Sequence, residues 1–233
     1  MPTQKPPHMT AKNQARLGTW AGYYESAQTL PHIHAHLTNM SAFIAWSRRW
    51  LPGPRLLEIG TGTGAVSILF HQSGYRVTGF DYDFGVLQQD QRLDHAFDAG
   101  VRWVQGDMFA MPFAEGAFDA CFHQGLLEHF DPPDIVRALH AQLRVARRVI
   151  FTVPTAYWRG GVYGDERMWP GKEWKRLLSD FRVVDILGEA YPSLPMRAVN
   201  FLGKRLTNRR PGWFFRAMAA ARAGEIGFVI EER

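Results

Sequence analysis

The sequence contains very little cysteine. Cys121 is the single cysteine among 233 residues, which excludes an internal disulfide and a metal site built from several cysteines. No apolar run reaches the roughly 18 residues that a membrane span requires. Residues 1–13 are polar and contain prolines, which is typical of a frayed tail and not of a secretory signal. We therefore expect a cytoplasmic protein without a membrane span.

Acidic residues are absent from one long stretch. Between Ala190 and Gly224 there is no Asp or Glu, in a chain whose net charge is +5. A solvated basic face explains such a stretch, and contact with an anionic substrate or a nucleic acid is the alternative. The basic residues of this stretch are Arg197, Lys204, Arg205, Arg209, Arg210, Arg216 and Arg222.

The remaining composition is that of an ordinary globular domain, with 46% hydrophobic and 21% charged residues. From Arg55 onward, short runs of β-forming residues alternate with longer helical patterns. Because strands that alternate with helices form parallel sheets covered on both faces, we expect a doubly wound α/β fold. The pattern predicts strands at 55–59, 75–80, 101–105, 118–122 and 148–153, with helices at 64–73, 84–99 and 132–146.

Two flanking regions depart from this alternation. Residues 20–50 predict a helical segment rich in aromatic residues and histidines, which would cover the ligand-binding edge of the sheet as a lid. After Pro154 the pattern predicts a short helix at 173–179 and strands at 181–187 and 226–231. The expected organisation is a tail and helical lid at 1–50 and one domain at 51–233, with substrate-side insertions around 155–175 and 189–222.

The turn after the first predicted strand is rich in glycine. It runs Glu58-Ile59-Gly60-Thr61-Gly62-Thr63-Gly64, and ligands of doubly wound sheets bind at such turns. The spacing is G-x-G-x-G, whereas dinucleotide-binding folds carry G-x-G-x-x-G. Glu58, two residues before the first glycine, would repel a pyrophosphate and attract a cationic group. A simple strand-to-helix connection is the alternative explanation of the glycines alone.

Acidic residues also end the next two predicted strands. Asp81 follows Phe80 at the end of the second strand, and Asp107 lies between Gly106 and Met108 after the third. An acid at the first of these places accepts hydrogen bonds from ribose hydroxyls, and Asp107 would meet an adenine amino group. The alternative is that these acids are helix caps or loop residues.

With these motifs, the chain resembles the class I S-adenosylmethionine-dependent methyltransferases from about Leu56 to Val153. The Leu127-Glu128-His129 sequence is similar to a signature of their small-molecule branch. The chain departs from the family where a Pro-Gly-Gly turn often precedes strand five, because Arg144–Arg148 stands there instead. The matching motifs are Leu56–Gly64, Val77–Asp81, Val104–Met108 and Phe118–His129.

The resemblance implies a fold and a cofactor. The fold would be α/β, a doubly wound Rossmann-like seven-stranded sheet whose last strand is antiparallel, with residues 226–231 in that place and a helical N-terminal lid. The cofactor would be S-adenosyl-L-methionine, released as S-adenosyl-L-homocysteine, with the backbone around His123 and Gln124 beside its methionine part. The cofactor-binding residues implied are Tyr24, Glu58, Gly60, Thr61, Gly62, Gly64, Asp81, Tyr82, Asp107, Met108, His123 and Gln124.

Catalytic candidates follow the fourth predicted strand. Glu128 and His129 would act as a base towards an ammonium or hydroxyl acceptor, although His129 would equally well order the loop through a hydrogen bond. Aromatic residues near Arg159, Arg167 and Lys172 would suit a flat or anionic acceptor, and packing on the core is their alternative role. The acceptor-side candidates are Tyr23, Tyr157, Trp158, Arg159 and Tyr163.

His32, His34 and His36 form an alternating triplet. Three imidazoles can bind zinc or iron, but no acidic residue is adjacent to them. We therefore expect no metal, and favour a polar lid surface or contacts to substrate for this triplet.

The function expected is methyl transfer to a nitrogen or oxygen of a small-molecule metabolite. The alternatives are an RNA or other nucleic-acid methyltransferase that uses the basic 197–216 stretch, and a non-catalytic module that holds the cofactor. Acceptor pockets in this fold are built from lids and late loops. The motifs therefore specify the cofactor and leave the acceptor and the oligomeric state open.

The spacing of the glycines predicts which cofactor binds. In isothermal titration calorimetry, we expect S-adenosylmethionine to bind and NAD to give no heat, because Glu58 would repel a pyrophosphate. Binding of NAD alone would contradict this interpretation of the turn.

Overall fold

The computed structural model describes residues 19–158, 166–189 and 224–233, except for the side chain of Glu189. Within these residues the helices are α1 (Trp20–Glu25), α2 (Leu30–Asn39), α3 (Ser41–Ser47), α4 (Ala65–Gln72), α5 (Phe84–Phe97), α6 (Pro132–Val145) and α7 (Gly171–Leu177). The strands are β1 (Arg55–Ile59), β2 (Arg76–Asp81), β3 (Arg102–Gln105), β4 (Ala120–Gln124), β5 (Val149–Pro154), β6 (Arg182–Glu189) and β7 (Glu225–Glu231). Short 3₁₀ turns lie at Leu127–His129 and Leu178–Asp180.

The described strands form one mixed sheet in the order β3-β2-β1-β4-β5-β7-β6. β1 to β5 pair in parallel, whereas β7 is antiparallel to both of its neighbours. This confirms the predicted doubly wound sheet with an antiparallel last strand. The strand order reverses between β1 and β4, and ligands of such sheets bind at that reversal.

Hydrophobic residues on both faces hold the sheet between helices. Leu57 packs in one core with Leu139 of α6, whereas its neighbour Leu56 packs in the other with Phe43 of α3 and Phe70 of α4. Successive side chains of a strand point to opposite faces, so a fully apolar strand fills two cores at once. This two-sided burial explains the consecutive apolar residues Leu56-Leu57 in β1 and Val149-Ile150-Phe151 in β5.

The fourth strand begins two residues later than predicted. Phe118 makes only an isolated bridge to Ala146, and the ladder with β1 starts where Ala120 pairs with Leu56. The prediction of 118–122 was therefore wrong by two residues, and β4 reaches Gln124. The departure from the family pattern at 144–148 is accommodated locally, since α6 ends at Val145 and β5 begins at Val149.

The N-terminal segment is three helices and not one continuous helix. Its contact with the sheet depends on two indole groups, because Trp46 and Trp50 each donate a hydrogen bond of 2.9 Å to Asp185 Oδ2 on β6. At its other end, the Ala21 amide donates to Asp83 beside α5, at 3.2 Å. The division of the chain into lid and main domain stays a prediction.

In the part of the chain that the structure describes, every helix is too short or too polar to cross a membrane.

Asp185 should contribute to stability through these two indole hydrogen bonds. We expect Asp185→Ala to lower the free energy of unfolding by about 1–3 kcal/mol, since two partly buried N–H groups lose their acceptor. Urea denaturation followed by tryptophan fluorescence measures this. Asp185→Asn keeps an acceptor oxygen and should lose clearly less, and equal losses in the two variants would contradict the explanation.

Candidate functional site

The glycine turn between β1 and α4 has a left-handed backbone. The φ angles are 71° at Gly60, 60° at Gly62 and 68° at Gly64, a region that L-residues rarely adopt. A Cβ atom on Gly64 would lie 2.9 Å from the carboxyl group of Asp90. The turn is therefore glycine-rich because its conformation and its close contact with α5 both exclude a side chain.

Two carboxyl groups hold Thr61 in the middle of the turn. The Thr61 amide donates to Asp81 Oδ2 at 2.9 Å, and its hydroxyl donates to Asp90 Oδ2 at 2.5 Å. The other oxygen of Asp81 accepts from the Asp83 amide at 2.8 Å. Asp81 thus ties the end of β2 to the turn, and Asp90 ties α5 to it.

Burial shifts the pKa values of the acids around the turn. Glu58 accepts a 2.5 Å hydrogen bond from Ser67, and burial raises its pKa to about 8. Burial raises the pKa of Asp90 to about 9 and that of Asp81 to about 6. The negative charges of Glu58 and Asp81 add to the shift at Asp90. An isolated buried carboxylate is costly, so these acids favour protonation or a cationic partner.

A cavity of about 250 Å³ opens beside the turn. Its floor includes Glu58, Gly60, Thr61 and Gly62 from the first strand and turn. A second side comes from the segment after β4, through Gln124, Gly125, Glu128 and His129. The N-terminal helices contribute Trp20, Tyr23, Tyr24, His36 and Met40, and the far side is formed by Pro154, Trp158, Glu166, Met168 and Glu225.

Aromatic rings from α1 form one wall of the cavity. Trp20 lies edge-on to the ring of His129, with centroids 5.3 Å apart, and stacks on Tyr24 at 6.4 Å. The Tyr24 hydroxyl lies 3.2 Å from where a Cβ on Gly62 would be. This wall therefore brings the first helix close to the glycine turn.

The end of the cavity beyond β4 is acidic. Glu128 is only 3% exposed, and burial raises its pKa to about 7, as it does for Glu225. No lysine or arginine is among the described residues that line the cavity. Arg167 instead pairs with Asp131 and donates to the Glu128 carbonyl, so within the described chain it orders the loop and does not face an anionic acceptor.

The cavity also contains polar groups that have no partner among the described residues. These are Thr63 Oγ1, Gln124 Nε2 and Glu128 Oε2, and all three residues line the cavity. A buried polar atom without a hydrogen bond costs free energy, so such atoms indicate a polar ligand or water. Together with the buried Glu58, these groups fit a polar ligand with a cationic part, such as the amino-acid part of S-adenosylmethionine.

The predicted site residues divide into two groups. Those that line the cavity are Tyr23, Tyr24, Glu58, Gly60, Thr61, Gly62, Gln124, Glu128, His129 and Trp158. Others lie outside its lining. Gly64 is buried behind the turn, and Met108 is buried in the core. Tyr82 and Tyr157 are 36% and 39% exposed. Asp107 accepts a hydrogen bond from the Phe109 amide at 2.9 Å. Arg159, Tyr163 and the basic 197–216 stretch lie outside the described residues.

The side chain of His123 lies in the core. Its ring stacks on Phe151 and is hydrogen-bonded to Gln142 at 3.2 Å, and burial lowers its pKa to about 3. His123 lies on β4 and points to the face covered by α6. The structure therefore leaves the backbone as the part of His123 available to a cofactor, which is the part that the resemblance implies.

Some residues that line the cavity were not predicted from the sequence. Trp20 stands three residues before Tyr23, at helical spacing, which was the available signal for the aromatic wall. Glu225 pairs in register with Pro154, and no local sequence pattern predicts that pairing. Of the histidine triplet, only His36 lines the cavity, and burial lowers its pKa. Among the described residues, no group of metal-binding side chains is present.

Comparison with known proteins agrees with this geometry. A family model described as a methyltransferase domain matches residues 56–148. The demethylmenaquinone methyltransferase of Renibacterium salmoninarum is 30% identical over 121 residues, which are 48% of each chain. The malonyl-[acyl-carrier protein] O-methyltransferase of Serratia marcescens is 32% identical over 96 residues, 41% of this chain and 35% of that one. The match therefore spans about half or less of these relatives.

Solved structures share the fold over nearly the whole chain. The magnesium protoporphyrin IX methyltransferase of Synechocystis PCC 6803, solved with bound S-adenosylmethionine, superposes with a TM-score of 0.63 at 12% identity, over 98% of this chain and 100% of that one. The geranyl diphosphate C-methyltransferase of Streptomyces coelicolor A3(2) gives 0.64 at 16% identity, with the same coverage. At such identities the likeness shows the fold alone.

These findings define the class of the matched segment. Residues 56–148 match a methyltransferase domain, and the fold is shared with solved methyltransferases, one of which has S-adenosylmethionine bound. The Leu127-Glu128-His129 signature and its small-molecule branch go beyond what the comparisons establish.

The raised pKa of Asp90 predicts how stability depends on pH. The folded protein keeps a proton on Asp90 up to about pH 9, whereas an unfolded Asp loses it near pH 4. The stability that the protonated Asp90 contributes is therefore fully present below about pH 4 and is lost as the pH rises towards about 9. Asp90→Asn keeps an acceptor for Thr61 without a charge.

In urea denaturation we expect Asp90→Asn to match the wild type near pH 5 and to be more stable than it near pH 8. Asp180→Asn, an exposed acid, serves as the control and should show no such divergence. A constant difference between wild type and Asp90→Asn across this range would contradict the shift.

Proposed function

We propose that this chain transfers a methyl group from S-adenosylmethionine to a nitrogen or oxygen atom of a small-molecule acceptor. One observation carries the proposal: a single cavity joins the glycine turn, with Glu58 beside it, to the acidic and aromatic residues after β4. Candidate cofactor residues and candidate acceptor residues therefore share one cavity, as an in-line displacement requires.

Residues on the cofactor side have distinct roles in this proposal. When bound, the cofactor supplies an electrophilic methyl group on a sulfonium centre. Glu58 attracts the positive charge of its amino-acid part, and Tyr24 closes the cavity above Gly62. Asp81 accepts from ribose hydroxyls through lone pairs left free by Thr61 and Asp83, since each carboxylate oxygen can accept two hydrogen bonds. Asp107 remains the candidate for the adenine amino group.

Residues on the acceptor side exclude water and hold a proton. Trp20 packs edge-on against His129, which favours a wall-forming role for this histidine over that of a base. Glu128 is the better proton acceptor, because its raised pKa of about 7 matches neutral conditions. The position of both residues in the Leu127-Glu128-His129 sequence supports the small-molecule branch of the class.

A nucleic-acid acceptor is less compatible with the described cavity. Its lining contains four glutamates, Glu58, Glu128, Glu166 and Glu225, and no basic residue among the described positions. Phosphate groups are bound by lysine, arginine and backbone amides, and a cluster of acids repels them. The names of the sequence relatives also support an acceptor other than nucleic acid. They include demethylmenaquinone methyltransferase and malonyl-[acyl-carrier protein] O-methyltransferase.

Transfer of a tritiated methyl group tests the proposal. With labelled S-adenosylmethionine and a cell extract as the source of acceptors, we expect label in the dialysable fraction and none in RNA or DNA. Gly62→Ala should lower S-adenosylmethionine affinity by about ten-fold or more, because the new methyl group meets Tyr24 at a left-handed position.

Gly74→Ala is the matched control. Gly74 also has a positive φ, of 94°, but nothing lies within 4 Å of the added methyl group. Label in nucleic acid alone, or equal affinity loss in both glycine variants, would contradict the proposed function.

A further inference from the structure

Two carboxyl groups from different parts of the chain line the same cavity. Glu128 lies in the 3₁₀ turn after β4, and Glu225 begins β7. Because β7 runs antiparallel to β5, Glu225 pairs with Pro154 at the end of β5. Both glutamates and Pro154 line the cavity. The sheet topology therefore places the two acids at the same edge, beyond the glycine turn.

Within the described part of the cavity lining, no lysine or arginine balances these acids. Glu128 Oε2 has no hydrogen-bond partner there, and Glu128 is almost completely buried. The charges of Glu225 and Glu166 raise the pKa of Glu128 beyond the effect of its burial, whereas His129 lowers it. Two carboxylates of like charge in one cavity are costly, and a positive group beside them would reduce that cost.

The walls around the acids suit the same kind of ligand. Trp20 and Trp158 line the cavity with Tyr23, and Met40 and Met168 add polarisable thioethers. Aromatic faces attract ammonium groups, most strongly when water is excluded. An anionic acceptor finds no basic side chain among the described lining residues.

We propose that the methyl acceptor is a small cationic amine, whose ammonium group binds at Glu128 and Glu225 against the aromatic wall. This inference rests on the methyl transfer proposed above and specifies its acceptor as nitrogen. An ammonium nitrogen has no free lone pair, so it must release one proton before it can accept a methyl group. The Glu128 carboxylate takes that proton and becomes a neutral carboxylic acid.

Equilibrium binding of three matched probes tests the inference. The probes are 2-phenylethylamine, 2-phenylethanol and 3-phenylpropanoate, which present an ammonium, a neutral hydroxyl and a carboxylate on similar skeletons. Calorimetry with the full chain, with and without saturating S-adenosylhomocysteine, should show the amine binding at least about ten-fold more tightly than the alcohol. The carboxylate should bind most weakly.

Variants separate the acids from general effects of charge. Glu128→Gln and Glu225→Gln should each remove most of the preference for the amine, while S-adenosylhomocysteine affinity and the thermal transition stay near those of the wild type. Glu115→Gln removes one negative charge from an exposed turn outside the cavity and should keep the preference. If one of the two cavity variants fails to fold, the amine preference measured for the other variant tests the inference.

The affinity for the amine should also rise with pH through about 7, as the two glutamates ionise and before the amine itself loses its proton. Glu58, Glu166, His36 and His129 face the same cavity. The wild-type profile is therefore compared with that of Glu225→Gln, whose rise should be smaller.

The outcomes distinguish this inference from the proposed function. Equal affinity for the three probes, including no measurable binding of any, would overturn the cationic acceptor while leaving cofactor binding intact. Failure of S-adenosylmethionine to bind would overturn the methyl transfer itself, and the probe comparison without cofactor would still decide the charge preference of the cavity.

Discussion

The site depends on how Thr61 is held between two strands and a helix. Its amide bonds to Asp81 at the end of β2 and its hydroxyl to Asp90 on α5, so one residue links three elements around the glycine turn. Gly64 lets α5 approach, since any side chain there would meet Asp90. The position of this turn determines where Glu58 lies, and hence where the cofactor side of the cavity begins. Because Asp90 is buried, its pKa is raised to about 9, and at neutral pH it accepts the hydrogen bond from Thr61 as a neutral carboxylic acid.

The second feature that organises the molecule is the concentration of acids at one edge of the sheet. Glu58, Glu128 and Glu225 come from the ends of β1, the turn after β4 and the start of β7, and burial raises the pKa of each. In the proposed function, the sulfonium and ammonium groups of the cofactor account for the first of these acids. The other two lie further along the cavity, where the proposed acceptor would bind, and they make that end of the cavity acidic. The names of the sequence relatives do not suggest an acidic acceptor site.

Local sequence patterns predicted much of the fold correctly, because each strand and helix depends mainly on residues that are close together in the chain. Five strands, their helices and the last strand follow from apolar runs and turn residues, and each agrees with the structure within a few residues. The antiparallel direction of the last strand was implied by the family resemblance. The error at β4 has a clear cause: Phe118 is as apolar as a strand residue, but only Ala120 finds a ladder partner on β1. The helical segment expected at 20–50 consists of three helices, and the pattern of the sequence did not indicate where the chain turns between them.

The sequence by itself determined the sheet, the glycine turn with its left-handed residues, and the acids that follow β1 and β2, because these depend on neighbours along the chain. Tertiary structure alone decided which distant side chains meet. Asp90 faces Gly64 because α5 packs against the turn, His123 points into the core because its side of β4 faces α6, and Glu225 lines the same cavity as Glu128 because β7 pairs antiparallel with β5. Such juxtapositions arise from strand pairing and helix packing between segments far apart in the chain, and no pattern within one segment encodes them.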